Sequence, residues 1–338
     1  MSAPDHCLEV AGIAAEPGTL AYGRVAVPNA FYPDGAAVEI PLILVRGRHE
    51  GPTLYLDAAT HGSEVAGTEI LQRLTREIVD PERLRGSLIA IPIVNVPSFR
   101  LCSGFNPHDQ FDNNRGYPGN STGTMNRQIC HFVFQIAKRA DYAINFHALS
   151  HASVAVPFTY FYEVENEHVN QEMRRMAEVF GIAGGRQRAG ESEISTSFAA
   201  TAPCHGLPAL LVELQSQYIV GRTEVEIGLR GVLNVMRTFN MVDGRIEEQH
   251  GVPMIGKRDL KWVNAECVRG GFLRPLVEVG KEVERGEEIA ILVDAVGTKV
   301  ASVPSPAKGY VMAYSGSFAR PIVREASWLA IIFAEAHE

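Results

Sequence analysis

His61-Gly-Ser-Glu64 sets an imidazole and a carboxylate three residues apart, and both groups are good ligands for a borderline metal such as zinc. The spacing alone is weak, because His6-Cys-Leu-Glu9 repeats it in the same chain. Context separates the two. His61 and Glu64 directly follow the apolar run at residues 53–58 (T-L-Y-L-D-A), and open α/β sheets build their sites beyond the carboxyl ends of strands. A catalytic zinc takes three protein ligands and keeps the fourth position for water, so a third ligand is expected at another strand end. His147 follows the run at residues 141–146 (D-Y-A-I-N-F) and is the first choice. His151 falls four residues into the next loop and ranks second. The plainer alternatives are an exposed loop histidine at 61 and a core histidine at 147 satisfied by a backbone carbonyl.

Glu213 sits inside the apolar run at residues 208–214 (P-A-L-L-V-E-L). Burying a carboxylate there is costly unless it is paired or protonated. Burial pushes such a pKa upward, which is the property of a general base working near neutrality. The alternative is a structural Glu paired with an Arg, or one facing out from an edge strand. Asn114-Arg115 lies in a loop rich in Gly, Pro and Asn. An Arg makes bidentate bonds to carboxylates, so this pair is a candidate clamp for a carboxylate-bearing substrate. The alternative is an Arg tying the loop to Asp109 or Asp112.

These residues need strand ends and loops to hold them. Residues 38–45, 53–58, 87–95, 141–146 and 208–214 read as strands, the last of them as a buried one. Helical spacing of apolar residues marks 63–80, about 124–139, 167–180 and about 223–242. Gly181 suits the left-handed position that closes the 167–180 helix. Residues 95–123 form a long polar loop, and long loops inside a compact domain are usually functional or disordered. Strands alternating with helices argue for an α/β fold with a mostly parallel, doubly covered sheet. From residue 251 the chain changes to short apolar runs broken by Gly and Pro. The expected organisation is therefore a 1–250 α/β domain and a 251–338 small all-β domain. Packing of roughly the first 35 residues against the latter is left open.

Composition limits the function classes. The 338 residues carry 31 Lys plus Arg against 39 Asp plus Glu, a net charge of −8. So acidic a chain lacks the electrostatic footprint of a nucleic-acid or anionic-membrane binder. No apolar run is long enough to span a bilayer, and the first residues lack a signal-peptide pattern. Cys7, Cys102, Cys130, Cys204 and Cys267 are odd in number and unpaired as C-x-x-C, as expected of a reduced, cytoplasmic enzyme.

Taken in order, the motifs resemble the succinylglutamate desuccinylase/aspartoacylase family, relatives of the zinc carboxypeptidases. The elements are His61-Gly-Ser-Glu64, the apolar strand ending in Asn95, Asp112-Asn-Asn-Arg-Gly-Tyr-Pro-Gly119, Ala143-Ile-Asn-Phe-His147, and Pro208-Ala-Leu-Leu-Val-Glu213-Leu. They span about Val38 to Val242. The resemblance implies a three-layer α/β/α zinc-carboxypeptidase-like domain with a mixed eight-stranded sheet. It implies one zinc held by His61, Glu64 and His147, a substrate carboxylate held by Asn114 and Arg115, and Glu213 as general base and then proton donor. The implied activity is hydrolysis of the amide bond of a small N-acyl amino acid or related N-acyl amine, a C–N bond other than a peptide bond. Three positions depart from the family pattern. Asn145 stands where I-D-L-H members have Asp, Gln215 replaces a Gly, and Gly104 stands where an oxyanion-stabilising Arg is common, with Arg100 nearby.

Residues 279–290 and 303–311 are similar to the half-barrel of lipoyl and biotinyl carriers. The nearest Lys, Lys299, lies in neither carrier motif, so a non-carrier relative is expected, shaping the mouth of the site or serving oligomerisation. The partner expected is a small acyl amino acid, with no nucleic acid and no membrane, and homo-oligomerisation is left open. The alternatives are a zinc carboxypeptidase-type peptidase and a non-catalytic metabolite-binding relative.

Overall fold

The computed structural model describes residues 6–149, 154–189, 196–215, 220–250, 260–267, 269–315, 322–323 and 327–335. The chain opens with β1 (Leu8–Val10), β2 (Ile13–Ala15), β3 (Thr19–Phe31), β4 (Ala37–Arg46) and β5 (His49–Asp57). Next come α1 (Ala66–Arg73), a π-helical turn at Leu74–Ile78, β6 (Arg85–Ile91), α2 (Val96–Arg100), a 3-10 turn at Asn113–Arg115, α3 (Met125–Ala137) and β7 (Tyr142–Ala148). Then β8 (Val154–Ala155), β9 (Phe158–Glu163), α4 (Glu167–Phe180), β10 (Ala183–Arg188), α5 (Phe198–Cys204), β11 (Ala209–Leu214) and α6 (Arg222–Thr238) complete the α/β part. The C-terminal strands are β12 (Leu260–Cys267), β13 (Gly271–Pro275), β14 (Glu282–Val283), β15 (Glu288–Val293), β16 (Lys299–Pro304), β17 (Gly309–Tyr314), β18 (Ile322–Val323) and β19 (Ser327–Glu335).

The main sheet runs in the order β14-β17-β19-β12-β10-β9-β11-β7-β5-β6-β4-β3. Its centre, β6-β5-β7-β11, is parallel. β4 and β9 flank this centre antiparallel. Parallel strands covered on both faces read as continuous apolar runs, and Leu54, Tyr55, Leu56, Ala143, Ile144, Leu210 and Val212 are fully buried. One face packs on residues of α1, α4 and α6, including Ile70, Met173 and Val232. The other packs on Ile129, Val133 and Phe134 of α3. The result is the expected three-layer α/β/α arrangement on a mixed sheet; eight strands of its continuous order precede residue 251, and β8, off that order, pairs with β17. The helix over Glu167–Phe180 falls where its periodicity puts it, closed by Gly181 at φ 85°.

Several local readings change. The strand carrying His147 does not stop at Phe146; β7 runs through to Ala148. The long helix read over 63–80 is the shorter α1 with its π-helical turn. The long loop contains α2 and the Asn113–Arg115 turn, anchored by the side chains of Asn95 and Asp112. The amino-terminal strands β1 to β3 pack on the α3 face and the β4 edge, at the far end of the sheet from the C-terminal strands. Beyond residue 251 the described residues form strands only. β16-β15-β13-β18 make a separate antiparallel sheet, while β12 pairs in parallel with β10 and extends the main one. No described helix is long and apolar enough to cross a membrane.

Candidate metal and active site

β5 and β7 pair in parallel until Asp57 meets Asn145. Beyond that point β5 leaves the sheet. The departing chain is pinned to its neighbours by backbone bonds from Ala58 N–H to the Ile91 carbonyl (3.1 Å) and from Asn95 N–H to the Ala59 carbonyl (3.1 Å). Gly62 then passes against α2. A Cβ there would lie 2.2 Å from the Ser98 and Phe99 backbone, so only glycine permits the approach. Its N–H donates to the Ser103 carbonyl at 2.8 Å. This close packing turns His61 and Glu64 back over the end of β7.

Glu64 lies between two rings. Its Oε1 is 2.8 Å from His61 Nδ1, and its Oε2 is 2.9 Å from His147 Nδ1. The ring centroids are 5.1 Å apart. One ligand atom from each of His61, Glu64 and His147 falls within 4.8 Å of the others. Two imidazole nitrogens and a carboxylate are the donor set of a catalytic zinc with one open position, and these side chains are nine-tenths buried or more at 64 and 147. The set fits one metal ion. His151, the second choice, lies outside the described residues.

The electrostatics follow from burial against pairing. Burial alone lowers His61, but Glu64 and Asp112 reverse this and hold it well above the ordinary imidazole range. Burial likewise opposes protonation of His147, and Glu64 again raises it. Burial raises Glu64, yet the two imidazoles pull it down to about 2. A carboxylate this acidic is ready to ligate a cation.

Glu213 stands in register with His147 on the neighbouring strand β11, so both side chains leave the same face. Its Oε2 is closed off from solvent and has no hydrogen-bond partner among the described residues. Burial pushes the carboxyl up to about 7, with the His147 charge opposing. Among the described residues no Arg pairs with it, so the structural alternative weighed from sequence is not what the fold builds.

Asn114 and Arg115 arrive on the 3-10 turn. Asn114 is nearly buried, and its Oδ1 accepts from the Phe198 N–H at 3.3 Å. Arg115 is more open. Its Nη1 donates to the Asn114 carbonyl at 3.1 Å and lies 3.7 Å from Asp112 Oδ2. The contact with Asp112 is the loop tie weighed from the sequence. Arg100 lies over the Tyr32 ring, 5.3 Å from its centroid.

The sequence reading gave two acids no part beside the ligand cluster. Asp112 Oδ1 accepts from the Asn114 N–H (2.8 Å) and contacts His61 Nε2 at 2.9 Å. It thereby fixes the ring with Nδ1 turned to the ligand cluster, the usual job of a carboxylate behind a ligating histidine. Burial raises Asp112, but the His61 contact and the Arg115 charge bring it to about 2. Asp57 is fully buried and bonded to Asn145 and Tyr55. It carried the same signal as Glu213, an acid in an apolar strand.

The model of the succinylglutamate desuccinylase/aspartoacylase catalytic domain matches residues 50–239, more than half of the chain. N-alpha-acetyl-L-2,4-diaminobutyric acid deacetylase of Halomonas elongata is 25% identical over 272 residues, 79% of this chain and 78% of that protein. Among solved structures, a succinylglutamate desuccinylase/aspartoacylase from Rhodobacter sphaeroides is 25% identical with a TM-score of 0.82, covering 94% of this chain and 96% of its own. An ectoine utilization protein from Ruegeria pomeroyi, solved with product, shares the fold at 20% identity and a TM-score of 0.80, covering 94% and 95%. Family members are deacylases. The chain belongs to the succinylglutamate desuccinylase/aspartoacylase family.

Proposed function

We propose that this protein is a zinc-dependent hydrolase that cleaves the amide bond of a small N-acyl amino acid or related N-acyl amine. The observation that carries this reading is the His61, Glu64 and His147 cluster, with ligand atoms within 4.8 Å, beside the unpartnered Oε2 of Glu213. The relative from Halomonas elongata is by name a deacetylase of an acetylated diamino acid, which favours an acetyl or similarly small acyl group.

His61, Glu64 and His147 would hold one zinc ion per chain, and zinc there would supply Lewis acidity for the amide oxygen and for a water whose pKa it would bring towards about 7. Glu213 takes the proton from the attacking water and delivers it to the leaving amine, a role suited to a carboxyl whose pKa lies near neutrality. Asp112 keeps His61 in the ligating orientation. Arg115 holds the substrate carboxylate through its open guanidinium, with Asn114 fixing the turn that presents it. The setting is the cytoplasm and the partner a small molecule, and the region from residue 251 onward is a β-rich unit at the edge of the α/β sheet.

The test is a screen of the zinc-loaded protein over N-acetyl, N-formyl and N-succinyl amino acids and short peptides, with Arg115→Ala beside the parent. Hydrolysis of an acyl amino acid, with KM raised by Arg115→Ala only for carboxylate-bearing substrates, supports the reading. A protein that binds no zinc and hydrolyses none of them sinks it.

A further inference from the structure

The buried pair beneath the ligand cluster, Asp57 and Asn145, is not used by the chemistry above. Asp57 is the last residue of β5, four positions before His61. Asn145 lies on β7, two positions before His147 and on the same face. The two stand opposite each other at the last register pair before β5 leaves the sheet. Asn145 Nδ2 donates to Asp57 Oδ1 across this gap. Tyr55 donates its hydroxyl to Asp57 Oδ2 at 2.8 Å. All three side chains are fully buried.

A carboxyl taken wholly out of water is expensive, and it gains only two donors here. An apolar residue would pack this strand end at lower cost. Where the backbone ladder between β5 and β7 stops, the side-chain bond continues it. One contact therefore fixes the separation of the two strand ends that carry His61 and His147. Asn145 spends its amide on Asp57, so its Oδ1 is turned elsewhere, and that oxygen is buried without a partner among the described residues. His147 Nε2 is a second buried atom in the same condition.

We propose that Asp57, acting through Asn145, is a positioning residue for the metal site: the pair spaces the two ligand-bearing strand ends. This rests on the reading of His61, Glu64 and His147 as metal ligands. Asp57 touches neither substrate nor metal.

The experiment is a zinc competition titration with a chromophoric chelator, run on the parent, Asp57→Asn, Asn145→Ala and the exchanged double variant Asp57→Asn/Asn145→Asp, with melting followed in parallel on the metal-free forms. Asp57→Asn removes the charge and, because an amide offers one acceptor where the carboxylate offers two, sets an NH2 against one of the two donors. Asn145→Ala removes the spacing contact. Zinc affinity is expected to fall about tenfold or more in each single variant and to recover in the exchange, which returns a carboxyl to the pair. A parent that binds zinc while both single variants bind it within twofold overturns the inference, however much their melting points move. Should either single variant fail to fold, the exchange decides alone: affinity near the parent's supports the pair, and a tenfold loss rejects it. A parent that binds no zinc fails the underlying reading instead.

Discussion

Glu213 separates chemistry from binding at the scale of one side chain. It offers no ligand atom to the cluster, so Glu213→Gln is expected to leave zinc stoichiometry unchanged while kcat drops by about 10²–10⁴-fold, the usual worth of a positioned acid–base group. Metal analysis beside steady-state kinetics checks both halves, and an active variant would remove Glu213 from the mechanism. The same residues predict how the metal-free protein responds to pH. Burial lifts Asp57 to about 6 and Glu213 to about 7, from ordinary values of 3.8 and 4.5. His61 and His147 are also raised, by Glu64. All four hold protons more tightly in the fold than in the unfolded chain. The stability they contribute is present at low pH and lost as pH rises through the folded values. Glu64 and Asp112, near 2, act in the opposite sense, but only below about pH 4. The Tm of the metal-free protein should therefore fall between about pH 5 and pH 8. Scanning calorimetry in chelator tests this, and a Tm that climbs across that window contradicts it.

At the scale of elements, the critical feature is the close crossing of the His61–Glu64 segment over α2. Gly62 has Ser98 and Phe99 backbone atoms where a Cβ would go, and a backbone obstacle cannot swing aside as a side chain can. Gly62→Ala should push His61 off its line to Glu64 and Asp112, weakening zinc binding by more than tenfold while far-ultraviolet circular dichroism stays unchanged. Zinc affinity equal to the parent's would mean that the loop adapts. The longer helices α3, α4 and α6 and the central strands were legible because each is long enough to show its period: Val169, Met173, Met176, Ala177 and Phe180 line one side of α4. β8 and the aromatic β9 were not. A two-residue strand has no period, and β9 buries residues on both faces, so nothing alternates.

At the scale of the whole molecule, the C-terminal strands share a core with the α/β part. Phe333 of β19 is fully buried and packs edge-on to Phe158 at 5.1 Å, and β8 pairs with β17 soon after the His147 strand ends. Phe333→Ala is expected to cost about 3–5 kcal/mol, seen as one lowered calorimetric transition rather than two. Two separate transitions would show that the region beyond residue 251 unfolds by itself.

Residue type and order along the chain were enough for the family elements, the alternating strands and helices, and for singling out His61, Glu64, His147 and Glu213 as candidates, because sites in such sheets gather near strand ends and strand ends are marked by local pattern. The partners of those residues were decided only by tertiary structure. Asp112 reaches His61 across 51 positions, and Asp57 reaches Asn145 across 88. Contacts at such separation are set by sheet order and loop packing, which leave no periodic trace in the residues they join.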